Sequence, residues 1–248
     1  MLPLRDTIPS RTRPYVNYAL IAINTLVFVY ELLLGAHLQE FVIAFGFVPG
    51  RFFAALGSIF QVGPGPFIVE ASTILTSMFM HGGFAHFLGN MLFLYIFGDN
   101  VEDRFGHGRY LLFYLLTGTI AALAQGILAP NSLVPTIGAS GAISGVMGAY
   151  LKFFPHSRVL TLIPFFFFYE LAEIPAFIYL ALWFILQFFQ GSLSLLAGHA
   201  GGGGVAWFAH VGGFVAGLLI AIREEKRHRR RRVIILAPED DDLWPFGL

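Results

Sequence analysis

Cysteine is absent from the 248 residues, which excludes a disulfide framework and any thiolate metal site and leaves the redox compartment open. Charge is scarce. Asp, Glu, Lys and Arg make up 12% of the chain, against about a quarter in a soluble globular domain, while 56% is hydrophobic and the mean hydropathy is +0.72. This balance implies a membrane protein. No H-E-x-x-H occurs, which excludes the common form of zinc protease. Carboxylates are missing between Asp103 and Glu170 and again between Glu173 and Glu224, so ion-coupled transport lacks its usual groups. The amino-terminal apolar stretch ends without a small-residue cleavage pattern and reads as a retained first span, not a signal peptide. No internal repeat is evident.

The chain is rich in apolar runs. A transmembrane helix needs about 20 mostly apolar residues, and six segments qualify as candidates: 15–34, 75–98, 108–129, 138–154, 174–196 and 205–222. The expected fold is therefore an all-α membrane protein, a six-helix bundle over 15–222. Short cytoplasmic residues 1–14 precede it, and a basic then acidic tail, 223–248, follows. Glycine and polar residues inside most spans favour tight helix packing over lipid contact, and the small-residue segment 138–154 should lie at the centre. Residues 35–74 are too apolar for a solvated loop and too broken by Gly and Pro to span, so short interfacial helices are expected there.

With cytoplasmic termini, fourteen of the fifteen Lys and Arg residues fall inside and only Arg51 outside, as the positive-inside rule requires. Seven of them crowd into "REEKRHRRRR" at 223–232, which reads as a topology anchor binding anionic lipid rather than nucleic acid.

That orientation assigns a depth to each intramembrane polar group. "HGGFAHFLGN" at 81–90 puts His81 near the outer surface and His86 and Asn90 deeper. "GASGAIS" at 138–144 puts Ser140 at the outer end of the fourth span and Ser144 one turn below, and "WFAHVGG" puts His210 at a similar level in the sixth. Histidine and asparagine in hydrocarbon are costly unless they face partners or a wet cavity, so their convergence on one level points to a site. Ser140 Oγ becomes a nucleophile when a neutral imidazole takes its proton, and His210 is the candidate base. His86 and Asn90, at i and i+4, share one helix face and can donate to a developing oxyanion, joined by the free N–H groups at a helix start. Gly138 and Gly141 flank Ser140 without side chains and let a substrate backbone approach. No carboxylate is well placed behind His210; Glu31, Glu40 and Glu70 lie on the outer side, and the arrangement reads as a Ser–His dyad. No metal or cofactor is called for.

Taken together, these motifs resemble the rhomboid family of intramembrane serine proteases over roughly 15–222. "GASG" at 138–141 is similar to the family's G-x-S-G, "HGGFAHFLGN" to its second-span histidines and asparagine, and "AHVGGFVAG" at 209–217 to its A-H-x-x-G-x-x-x-G. The resemblance implies Ser140 as nucleophile, His210 as base and His86 and Asn90 as oxyanion donors. It implies structural roles for Glu102 in "GDNVEDRFG", for Gly213 and Gly217 in packing the sixth span on the fourth, and for His81. It also implies single-span membrane proteins as substrates, cut near the outer surface. Two features depart from the pattern. Some members carry an aromatic four residues after the nucleophile, stacked on the catalytic histidine, where this chain has Ser144, read as a small residue with a local hydrogen bond. The Trp–Arg pair that some members carry in the outer loop is missing too, and "PGRFF" at 49–53 is the nearest feature. The glycine run 198–204 suits either a mobile cap or a plain linker, and the aromatic fifth span suits a lipid-facing helix that substrate passes. The rival readings are a catalytically silent rhomboid-like protein that binds membrane clients, and a metal or transport site on His81, His86 and His210, which lacks supporting carboxylates.

Overall fold

The computed structural model of the chain describes residues 1–165, 168–196 and 205–236, with the backbone alone at 165 and 227–236. The elements run β1 (Leu2–Asp6), α1 (Tyr15–Leu33), a 3₁₀ turn (Gly35–His37), α2 (Leu38–Phe45), α3 (Pro49–Gly57), α4 (Ile59–Val62), α5 (Gly65–Ser77) and α6 (Phe84–Phe105). They continue with α7 (His107–Leu128), α8 (Ser140–Phe153), β2 (Arg158–Phe165), β3 (Phe168–Pro175), α9 (Ala176–Leu196) and α10 (Trp207–Leu236). The glycine run 198–204 and residues 237–248 of the tail lie outside the described residues.

Among the described residues, four helices are long and apolar enough to cross a membrane, at Tyr15–Leu33, His107–Leu128, Ala176–Leu196 and Trp207–Lys226. The other two expected spans differ for physical reasons. α6 starts at Phe84 rather than 75, because Gly83, at φ 148°, breaks the helical run, and residues 75–77 close α5 instead. It then runs on through Asp99, Glu102, Asp103 and Arg104, whose charges lower its hydropathy. α8 has only 14 residues, about 21 Å at the usual helical rise. Its residues Gly141–Tyr150 are all buried, so the helix is sheathed by its neighbours and needs no lipid-facing surface.

The seam between α8 and α10 is glycine-built. A Cβ on Gly213 would sit 2.0 Å from the Gly141 carbonyl oxygen, one on Gly217 1.9 Å from that of Gly145, and one on Gly148 2.1 Å from that of Phe214. Backbone packs directly on backbone here, which only glycine permits. Around it the core gathers Leu94, Phe97, Tyr110, Tyr114, Val146, Tyr150 and Phe214.

The expectation of an all-α chain is corrected by an antiparallel three-stranded sheet in the order β1-β2-β3, with Leu2 opposite Leu162 and Arg158 opposite Pro175. β1 belongs to residues expected to be a mere leading segment, and it is held by long-range partners. Asp6 accepts from Tyr150 Oη at 2.5 Å and from Asn100 Nδ2 at 2.9 Å, while Asp103 accepts from the Thr12 amide at 3.0 Å. The sheet thus closes the end of the bundle opposite Ser140. Glu102, fully buried, accepts from the amides of Val16 at 3.1 Å and Asn17 at 2.7 Å and contacts His107, so its carboxylate caps the start of α1.

Residues 35–74 form the short helices expected. Arg51 donates from Nε at 2.9 Å and from a terminal nitrogen at 2.7 Å to one oxygen of Glu70, and also to the Ile43 carbonyl at 2.6 Å, tying α2, α3 and α5 together. Phe47 and Thr136 exchange backbone hydrogen bonds of 3.1 and 2.7 Å, which join this layer to the loop that delivers Ser140.

Candidate active site

Ser140 opens α8 because the preceding loop ends in Gly138, at φ +130°, a conformation that favours glycine. The Gly138 amide donates to the Ser77 carbonyl at 2.9 Å, which pins the loop to the end of α5. At the first position of the helix, Ser140 and the residues after it present amides that no earlier turn can satisfy. The glycine seam brings α10 against this helix, and His210 Nε2 lies 2.8 Å from Ser140 Oγ.

His210 is buried. Its other ring nitrogen, Nδ1, lies 2.6 Å from Gln187 Oε1 on α9. An amide oxygen can only accept, so Nδ1 carries the proton and Nε2 presents its lone pair to the Ser140 hydroxyl. Sequence reasoning missed Gln187. The signal was a polar amide in the aromatic run "IYLALWFILQFFQ", a group that needs a partner in hydrocarbon. Trp183, one turn earlier on the same face, lies 5.8 Å from the His210 ring at 37°. It packs against the imidazole, whereas the position of Ser144 offers no aromatic. Trp207 meets the same ring edge-on at 6.2 Å.

His86 and Asn90 project from the first two turns of α6 into the same space. A Cβ on Gly138 would sit 2.7 Å from His86 Nε2 and 3.6 Å from Ser140 Oγ, so the His86 ring lies close against the serine loop. The Gly82 amide donates to His86 Nδ1 at 3.3 Å, which leaves the proton on Nε2, the nitrogen that faces Gly138. Asn90 is buried, and its Nδ2 has no hydrogen-bond partner among the described residues. These groups border an open cavity of about 590 Å³, whose walls also include Gln125, Ile143, Met147, Trp183 and Gln187.

Ser144 also lines the cavity, yet its hydroxyl donates to the Ser140 carbonyl at 2.6 Å. His81 does not join the polar cluster. Its amide donates to both carboxylate oxygens of Glu31, at 3.2 and 3.0 Å, and its ring packs among Phe28, Phe87 and His86. Glu31 therefore anchors the turn before α6 and does not reach His210. Gly141 faces Ala121 on α7, whose Cβ would lie 2.7 Å from an added methyl. Among the described residues no group of three or more His, Asp or Glu is disposed to hold a metal ion.

Against known proteins, the family model described as "Rhomboid domain" matches residues 69–226. The chain is 35% identical over 140 residues to "Rhomboid protease GluP" of Bacillus subtilis, covering 56% of this chain and 24% of that protein. It is 36% identical over 78 residues to "Putative rhomboid protease YdcA" of the same organism, covering 32% and 39%. Over 98 residues it is 33% identical to "Rhomboid protein 1, mitochondrial" of Saccharomyces cerevisiae, covering 38% and 28%. The chain thus spans between 24% and 39% of the length of these relatives.

Proposed function

Since the chain belongs to the rhomboid family, which includes serine proteases acting on transmembrane substrates within the membrane, and is itself an integral membrane protein, we propose that it is an intramembrane serine endopeptidase. The observation that carries this reading is the 2.8 Å approach of Ser140 Oγ to His210 Nε2 beside a cavity that His86 and Asn90 also line.

Ser140 Oγ attacks the carbonyl carbon of the scissile bond while His210 Nε2 takes its proton. The carbonyl electron pair moves to oxygen, where His86 Nε2–H, Asn90 Nδ2–H and the amides at the start of α8 stabilise it. Collapse expels the amine, which takes the proton from His210 and leaves an ester on Ser140. A water molecule, deprotonated in turn by His210, hydrolyses that ester and frees the serine. No metal enters these steps. α6 and α8 complete six spans, both termini are cytoplasmic, and the catalytic end faces the outer side. The basic residues 223–232 sit against anionic lipid. A single-span protein offers its bond at the cavity mouth after its helix unwinds, and small residues at the cut suit the glycine-lined approach to Ser140.

The test is cleavage of a single-span substrate by purified protein in detergent, with Ser140→Ala and His210→Ala and with added chelator. Both variants should lose cleavage, and chelator should change nothing. Cleavage by Ser140→Ala would overturn the proposal and favour a client-binding rhomboid-like protein.

A further inference from the structure

We propose that Gln187 is a positioning residue that holds His210 in the tautomer and orientation its role as base requires, which makes the dyad in effect a Ser–His–Gln triad. The inference rests on the protease reading above and adds the missing third member.

Three observations carry it. Gln187 Oε1 stands 2.6 Å from His210 Nδ1, on the side of the ring away from Ser140. Trp183, four residues earlier on α9, packs against the same ring in a tilted arrangement at 5.8 Å, so one helix supplies both an aromatic contact and the hydrogen-bond acceptor. An imidazole can present a lone pair at Nε2 only while its proton stays on Nδ1, and a neutral acceptor at Nδ1 selects that form. A neutral amide meets this need without burying a charge, which explains how the chain manages with no carboxylate between Glu173 and Glu224.

The helix that carries the acceptor is also the one the bundle holds least. In α9, 22% of the spanning window is buried, against 44% in α7 and in the spanning part of α10. A docking role for Gln187 therefore has to be separated from a positioning role. Docking would act on thermal stability and KM, whereas positioning acts on kcat and on the ring proton.

The experiment uses the full chain in detergent, with Gln187→Met, which keeps the length but loses the strong acceptor, and Gln187→Glu, which keeps it. Steady-state cleavage should show kcat lowered about 10- to 100-fold in Gln187→Met, the size expected when a buried hydrogen bond to a reacting group is lost, with KM within about twofold. Gln187→Glu should restore kcat to within about tenfold of wild type. In parallel, the ¹⁵N spectrum of histidine-labelled protein, with His210 assigned from its loss in His210→Gln, should show the proton on Nδ1 in wild type and a mixture in Gln187→Met. Wild-type kcat in Gln187→Met, or an unchanged ring spectrum, overturns the positioning role. Loss of stability with both measures unchanged assigns Gln187 to docking alone and overturns it equally. Cleavage by Ser140→Ala would instead sink the protease reading, and the spectrum decides on Gln187 even then.

Discussion

Gly217→Ala tests whether the glycine seam sets the distance between Ser140 and His210. The added methyl would sit 1.9 Å from the Gly145 carbonyl oxygen, 2.6 Å from its carbonyl carbon and 2.7 Å from its Cα, all backbone atoms that no rotamer change can move. A close but tolerable carbon–oxygen contact is about 3.3 Å, so α8 and α10 must part locally by about 1.4 Å. Ser140 and His210 lie on these same two helices, about 8 Å from Gly145 and about 10 Å from Gly217 respectively, and their contact is 2.8 Å. If even half of that displacement reaches the site, the pair moves beyond hydrogen-bond reach of about 3.2 Å. Misplacement of this order costs about 100-fold in rate, and overpacking costs about 1–3 kcal/mol in stability. The assay is kcat/KM on a single-span substrate alongside thermal unfolding in detergent, with Gly108→Ala as the control because its added Cβ meets nothing within 4 Å. A Gly217→Ala protein with wild-type kcat/KM and an unchanged Tm would refute the reasoning.

Other consequences are open to measurement. Glu102→Ala strips the cap from the Val16 and Asn17 amides and should lower stability by about 2–4 kcal/mol in denaturant titration. Ser144→Ala removes only a hydroxyl bonded to the Ser140 carbonyl, so kcat/KM should stay within about tenfold of wild type.

The helical framework was legible because the apolar part of each long helix is bounded in sequence by Gly, Pro or charge, and the glycine spacing in "GASGAISGVMG" and "AHVGGFVAG" already marked two helices meant to touch. The sheet was not. β1 is the five-residue "LPLRD", whose partners lie about 155 residues away, and β2 and β3 meet within an aromatic run around Pro164 that hides any alternation. The start of α6 was misjudged because the apolar count of 75–83 outweighed the Gly82–Gly83 break. His86, Asn90 and His210 pointed to the candidate site because polar side chains in hydrocarbon need partners or a wet cavity, although the same demand at Asn17 and Asn24 is met by structural hydrogen bonds. Gln187 was overlooked because its neighbours read as lipid-facing, although its amide carried the same physical demand for a partner as Asn90.

The proposed nucleophile can be probed without any knowledge of the natural substrate. Purified protein in detergent is treated with a fluorophosphonate, digested, and its adduct mapped by mass spectrometry. Modification at Ser140, abolished in His210→Ala and unaffected by chelator, is the predicted result. An unmodified Ser140, or an adduct on Ser144 or another serine, would contradict the assignment of Ser140 and His210 as the reacting pair.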